Sequence, residues 1–421
     1  MLRVHEAMRA LAADDVDGVR AILREQPELK TLLNQPVGPF DSPAIVNVRS
    51  PEMLDVLLES GADINARSHW WAGGFGVLDS VDPALASYAI DRGATIDAHA
   101  AARLDMLDRL RELVSQDPAV VHARGADGQT PLHCARTPEA ARYLLDCGAD
   151  VDARDVDHES TPAQYMVQDR QDVARYLVGR GCRSDLLMAA ALGDLDLVRR
   201  HLDRDPGCIR IRVDGEWFPM KDQRAGGTIY QWTLGFHVSA HQVARKFGHQ
   251  DVLAFLLERT PADARLLDAC WMADEAVVAA IRRDHPGLAD RLSEADRRQV
   301  AHAARNNQAA AVRLMLESGW PVNATGQHRA TPLHWAAFHG NAAMVATILR
   351  FNPPLESTDA DFNGTPLGWA VHGSEHGWYC RTGDYGTTVA TLIRAGATRP
   401  DVITGSADVQ AALRGSTSAS T

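Results

Sequence analysis

One phrase, repeated along the chain, limits what this sequence can become. It reads Thr331-Pro332-Leu333-His334-Trp335-Ala336-Ala337, returns as Thr365-Pro366-Leu367-Gly368-Trp369-Ala370, and stands earlier as Thr130-Pro131-Leu132-His133-Cys134-Ala135. The copies fit a repeat of about 33 residues. Threonine accepts hydrogen bonds from the first free N–H groups of a helix, and proline is preset for the first helical turn. A second phrase closes several units: Leu57-Leu58-Glu59-Ser60-Gly61-Ala62-Asp63-Ile64-Asn65, with variants at 90–97, 144–152 and 316–323. Its glycine suits the left-handed residue that ends a helix. Short helices of this kind bury their apolar faces only against neighbours, so the pattern predicts an all-α stack.

The two phrases together resemble the ankyrin repeat. The resemblance implies an ankyrin-repeat solenoid of about twelve helix-turn-helix units, continuous over 1–400 and closed by a capping helix within 401–415. The Ser/Thr-rich end, 416–421, is expected to be disordered. By the same resemblance His133 and His334 tie one repeat's loop to the next. The first helix of each repeat would line a concave groove. Aligning the units places Tyr165, Met188, Val243, Asp268, His302, Trp335 and Trp369 at one groove position, and Trp271, Phe338, His339 and His372 at later ones. A tryptophan there can anchor a partner or merely fill space against its neighbour.

Three stretches break the period: 68–80, with Trp70 and Trp71 among glycines; 207–238, with Trp232 and His237; and 373–385. Insertions in a repeat array fall on loops, often on the binding face. The third reads His372-Gly373-Ser374-Glu375-His376-Gly377-Trp378-Tyr379, then Asp384-Tyr385. His372 and His376 would share one face of a helix, but the glycines argue against a continuous helix and hence against a zinc pair. The stretch is then a recognition loop, or a loop packing its own aromatics. His241 occupies a position normally held by leucine, and a buried histidine there needs a polar partner.

Composition removes several classes. With 43 basic and 55 acidic side chains the net charge is −12, which argues against a nucleic-acid partner. The six cysteines are widely spaced without a Cys-x-x-Cys pair, which argues against structural zinc and a disulfide framework. No apolar run is long enough for a membrane span, and the first residues enter an amphipathic pattern without a signal core. A cytoplasmic chain without cofactor or metal, acting as a monomer, is expected.

Two functions follow. In the first, the chain is an interaction protein that holds a protein partner in its groove, using Trp232, Trp271, His302, Trp335, His339, Trp369, His372, His376, Trp378 and Tyr385. In the second, the insertions cover a site for a small polar ligand such as a sugar. That site would be an enzyme's if His372, His376, Asp384 or His237 served as acid and base. No nucleophile elbow, phosphate loop or dinucleotide fingerprint is present. Whether the three insertions meet over one cavity distinguishes the two.

Overall fold

The computed structural model describes residues 2–415, so the expected disorder of 416–421 lies outside the described residues. The chain is all-helical. Among the described residues, β pairing amounts to one isolated bridge between Gly38 and Ser42. Thr130, Thr331 and Thr365 each stand at the N-cap of a helix that begins with proline. Gly61, at the end of its helix, takes φ 98°, the left-handed conformation that only glycine adopts without strain. No helix among the described residues is long and apolar enough to cross a membrane.

The histidine of the repeated phrase joins neighbouring units. The Thr130 N–H donates to His133 Nδ1 at 3.1 Å. A carbonyl can only accept, so Nε2 carries the proton that reaches Ser160 O at 3.1 Å. His334 repeats this with Ser357 O and Gly364 O, both at 3.1 Å. Burial pushes His133 down to about 3, from a usual value of 6.5. The folded chain therefore keeps His133 neutral while the unfolded chain protonates it, and stability falls as pH drops from 6.5 toward 3. Urea titrations should show wild type losing about 1.4 kcal/mol relative to His133→Gln between pH 7.5 and about 5.5. Parallel curves for the two proteins would refute this assignment.

The described fold comprises two compact units, Met1–Val238 and Ser239–Thr421. In the first, helix pairs such as Leu2–Ala12 with Val16–Glu25 and Leu186–Leu192 with Leu195–Arg204 stack as the repeat predicts. The second and third repeats depart from it. Their first helices shrink to the 3-10 turns Ala44–Asn47 and Val77–Asp79.

The insertions 68–80 and 207–238 meet within this unit. Asp127 N donates to Gly73 O at 3.3 Å, and Gly226 N donates to Asp157 O at 2.8 Å. A Cβ on Gly73 would collide with Gly125 O, so only glycine permits that approach. The Arg224 guanidinium lies 4.2 Å from the centre of the Trp71 ring, across the junction. Tyr230, in the second insertion, is fully buried and donates its hydroxyl to Asp185 Oδ2 at 3.0 Å.

In the second unit the pairs run Ala240–Lys246 with Gln250–Arg259, Ala262–Trp271 with Glu275–Asp284, and Glu294–Arg305 with Ala309–Glu317. Pro332–Phe338 with Ala342–Leu349 and Pro366–His376 with Tyr385–Arg394 follow, and Ala407–Arg414 packs on the last. Small alanines at the helix contacts and Leu333, Val345, Ile348 and Leu392 form its apolar centre.

His241, in the leucine position, is fully buried. The Thr260 hydroxyl donates to Leu256 O at 2.7 Å, so its oxygen accepts from His241 Nε2 at 2.7 Å. The other nitrogen, Nδ1, lies 2.9 Å from Asp268 Oδ2. A second proton on the ring would make that carboxylate its ion partner, and the carboxylate comes from a groove-register residue.

The expectation about Gly373 and Gly377 is corrected. The helix runs unbroken from Pro366 through Gly373 to His376. Gly373 is there for proximity: a Cβ would collide with Phe338 O of the neighbouring repeat. The helix cost of one glycine, about 1 kcal/mol, is accepted where backbones must touch. The insertion thus begins as extra helix, and the non-helical part is confined to 377–384.

Candidate functional site

The Pro332–Phe338 and Pro366–His376 helices lie side by side, and each presents a tryptophan from the same repeat position. The Trp335 and Trp369 rings are 4.9 Å apart at 86°, an edge-to-face pair. Trp369 donates its indole N–H to Asp359 Oδ2 at 2.8 Å. The same carboxylate accepts from the N–H groups of Asp361, Phe362 and Gly364 at 2.7–2.9 Å. Burial raises the Asp359 carboxyl, but the hydrogen bonds from Phe362, Trp369, Gly364 and Asp361 outweigh it and hold it below its usual value.

After the helix ends at His376, the turn returns Trp378 over the pair. Its ring stacks on Trp335 at 5.9 Å and meets Phe338 edge-on at 5.6 Å. The Arg305 guanidinium stands 5.6 Å from the Trp335 ring centre and 5.3 Å from that of Trp378. Burial lowers its pKa. The opposite side is closed from the loops before the two helices. His328 lies 5.5 Å from Phe362 and 6.3 Å from Trp369, and its Nδ1 is 2.5 Å from Asp361 Oδ2.

The result is a cavity of about 460 Å³ lined by His328, Trp335, Phe338, Phe362, Gly364, Gly368, Trp369, His372 and Trp378. That size falls in the range of small-molecule and side-chain pockets. Trp335 and Trp369 are buried in its wall, whereas Phe362 is 70% and Trp378 59% exposed at its rim. The Trp335 Nε1 meets no hydrogen-bond acceptor among the described residues.

Of the residues singled out from sequence, Trp335, Phe338, Trp369, His372 and Trp378 share this cavity. His376 is exposed, its ring 4.9 Å from that of His372. His339 is buried against the Trp335 and Trp378 rings, and its Nε2 donates to Arg305 O at 2.8 Å. Tyr385 is buried too, donating to Phe338 O at 2.8 Å, which fastens the turn beneath the cavity. Asp384 caps the helix that follows, accepting from Thr387 N at 3.0 Å. Trp271 is buried in the apolar centre and His302 is half-buried on the Glu294–Arg305 helix; neither lines the cavity. Trp232 and His237 belong to the Met1–Val238 unit. Trp232 is exposed beside Phe236, and His237 closes the second insertion by donating its N–H to Val213 O at 2.9 Å.

Sequence reasoning missed His328, Phe362 and Arg305. A signal existed for two of them. His328 and Phe362 each stand three residues before the threonine of their repeat, in one register of the connecting loops. Large rings at that position in consecutive repeats are placed to meet.

Comparison with known proteins bears on the fold. Residues 98–186 and 300–379 match the family described as ankyrin repeats (3 copies). The palmitoyltransferase Hip14 of Drosophila melanogaster is 32% identical over 126 residues, which is 30% of this chain and 17% of that protein. The E3 ubiquitin-protein ligase XB3 of Oryza sativa subsp. japonica is 33% identical over 93 residues, 22% of this chain and 21% of its own length. The chain thus spans about a fifth of the length of these relatives.

Proposed function

Because this chain carries ankyrin repeats, we propose that it is an interaction protein whose Ser239–Thr421 unit captures a protein partner by an apolar side chain seated in the aromatic cavity. The observation that carries this is the rim. Phe362 and Trp378 leave large apolar faces in water beside a preformed cavity of about 460 Å³. Covering such rings is where binding energy concentrates, and tryptophan is among the residues most often found there. An aliphatic or aromatic anchor fits walls made of Trp335, Phe338 and Trp369.

The wider proposal treats 1–400 as one array capped by 401–415, acting as a cytoplasmic monomer on a protein rather than on nucleic acid. A small polar ligand is the second reading. It is favoured by one observation, that the His328–Asp361 pair and His372 put polar groups around the rim.

Peptide display on the intact chain, with counter-selection on Phe362→Ala and Trp378→Ala, tests the first reading. The selected peptides should share one large apolar residue and should lose roughly thirtyfold in affinity, about 2 kcal/mol, on either variant. Both substitutions are at exposed rings, so the urea midpoint should hardly move. Selection of peptides that bind both variants as well as wild type would defeat the proposal.

A further inference from the structure

In the Met1–Val238 unit the loop register that gathers rings elsewhere gathers metal-binding groups instead. Asp127 stands three residues before Thr130, and His158 three before Thr161. Equivalent positions of consecutive repeats are neighbours, and Asp157 adds a second carboxylate. One donor atom from each of Asp127, Asp157 and His158 lies within 4.8 Å of the other two. We propose that these three side chains form a binding site for a divalent transition-metal ion, with zinc the best match, that fastens the meeting point of the 68–80 and 207–238 insertions.

The hydrogen bond of His158 decides its chemistry. Its Nδ1 lies 2.8 Å from Gly227 O, an atom that only accepts, so Nδ1 holds the proton. In the neutral ring Nε2 is then a bare lone pair. It points to the cluster, 3.6 Å from Asp157 Oδ2, and no described residue gives it a hydrogen-bond donor. The His158 and Asp157 side chains are only 10% and 9% exposed. Buried lone pairs facing each other repel unless a proton or a cation lies between them.

A ring fixed through Nδ1–H to a backbone carbonyl is the orientation of a metal-bound histidine. A tetrahedral zinc ion with bonds of about 2.0–2.1 Å holds its ligand atoms roughly 3.4 Å apart, close to the 3.6 Å between His158 and Asp157. One nitrogen and two carboxylate oxygens favour zinc over magnesium or calcium, which take oxygen ligands. The fourth position would go to water.

The location explains what such an ion would do. Asp127 N donates to Gly73 O of the first insertion, and the second insertion is joined here through Gly226 N to Asp157 O and His158 Nδ1 to Gly227 O. An ion bound by Asp127, Asp157 and His158 would cross-link two repeats at the point where both inserted segments attach.

The test uses the full chain, stripped with chelator and then dialysed against zinc, with metal content by elemental analysis and cobalt(II) absorption as the direct readout. The expected result is one zinc per chain, a raised melting temperature with zinc, and a visible spectrum of low-symmetry cobalt. His158→Gln and Asp127→Asn should each lose at least a hundredfold in affinity while keeping the helical circular dichroism of the metal-free wild type. A His372→Asn/His376→Asn variant should bind as wild type does. No retained zinc, undiminished binding in both Asp127→Asn and His158→Gln, or loss of binding in the His372/His376 variant would each overturn the proposal. Should His158→Gln fail to fold, the result rests on Asp127→Asn, whose side chain is the least buried of the three.

Discussion

His241→Ala is expected to cost roughly 3–5 kcal/mol of folding stability in urea denaturation. The substitution does more than open a cavity. His241 and Asp268 are 0% and 3% exposed in their side chains, with Nδ1 and Oδ2 2.9 Å apart. Removing the ring deprives the Asp268 carboxylate of that contact where water does not reach. The double variant His241→Leu/Asp268→Ala restores the residue type usual at the first position and removes the carboxylate that faced the ring. It should recover most of the loss and end within about 2 kcal/mol of wild type. Additive losses in the double variant would show that the two side chains do not depend on each other.

Trp369→Ala is the second large effect, at roughly 3–5 kcal/mol. Trp369 is 8% exposed, meets Trp335 edge-to-face at 4.9 Å, and contacts Phe338 at 5.7 Å. Its indole N–H also satisfies Asp359. Alanine would remove the wall shared by the cavity and the core, so folding and binding should fail together. Trp369→Phe keeps most of the packing but not the hydrogen bond, and should cost about 1–2 kcal/mol. Phe362→Ala, by contrast, touches an exposed ring and should spare the fold. If Trp369→Ala unfolds no earlier than Phe362→Ala, the tryptophan is not structural in the way its contacts imply.

Much of this was legible in the residues themselves. Thr130, Thr331 and Thr365 marked helix starts, because capping and proline placement are local effects. Trp335 and Trp369 stood out as a pair because equal repeat positions become neighbours. What escaped reading depended on contacts between repeats. Gly373 looked like a helix breaker by propensity, yet Phe338 O approaches it so closely that glycine is required. Tyr385, His339 and Asp384 had the side chains of a site, but their partners are the backbone of Phe338, Arg305 and Thr387. Phe362 and His328 stand in the connecting loops, where no helical periodicity marks a facing side, although the loop register carries equal information. The same register places Asp127 beside His158.

Tryptophan resonances test most directly whether a partner binds in the aromatic cavity of the Ser239–Thr421 unit. The chain has nine tryptophans, and their indole Nε1–H resonances report on separate parts of it. Adding a peptide selected by display should move the resonances of Trp335, Trp369 and Trp378 together, with Phe362→Ala weakening the response. The indoles of Trp70, Trp71, Trp217 and Trp232 should stay in place. Shifts confined to those four, with the three cavity indoles unmoved at saturation, would place the binding surface outside the cavity.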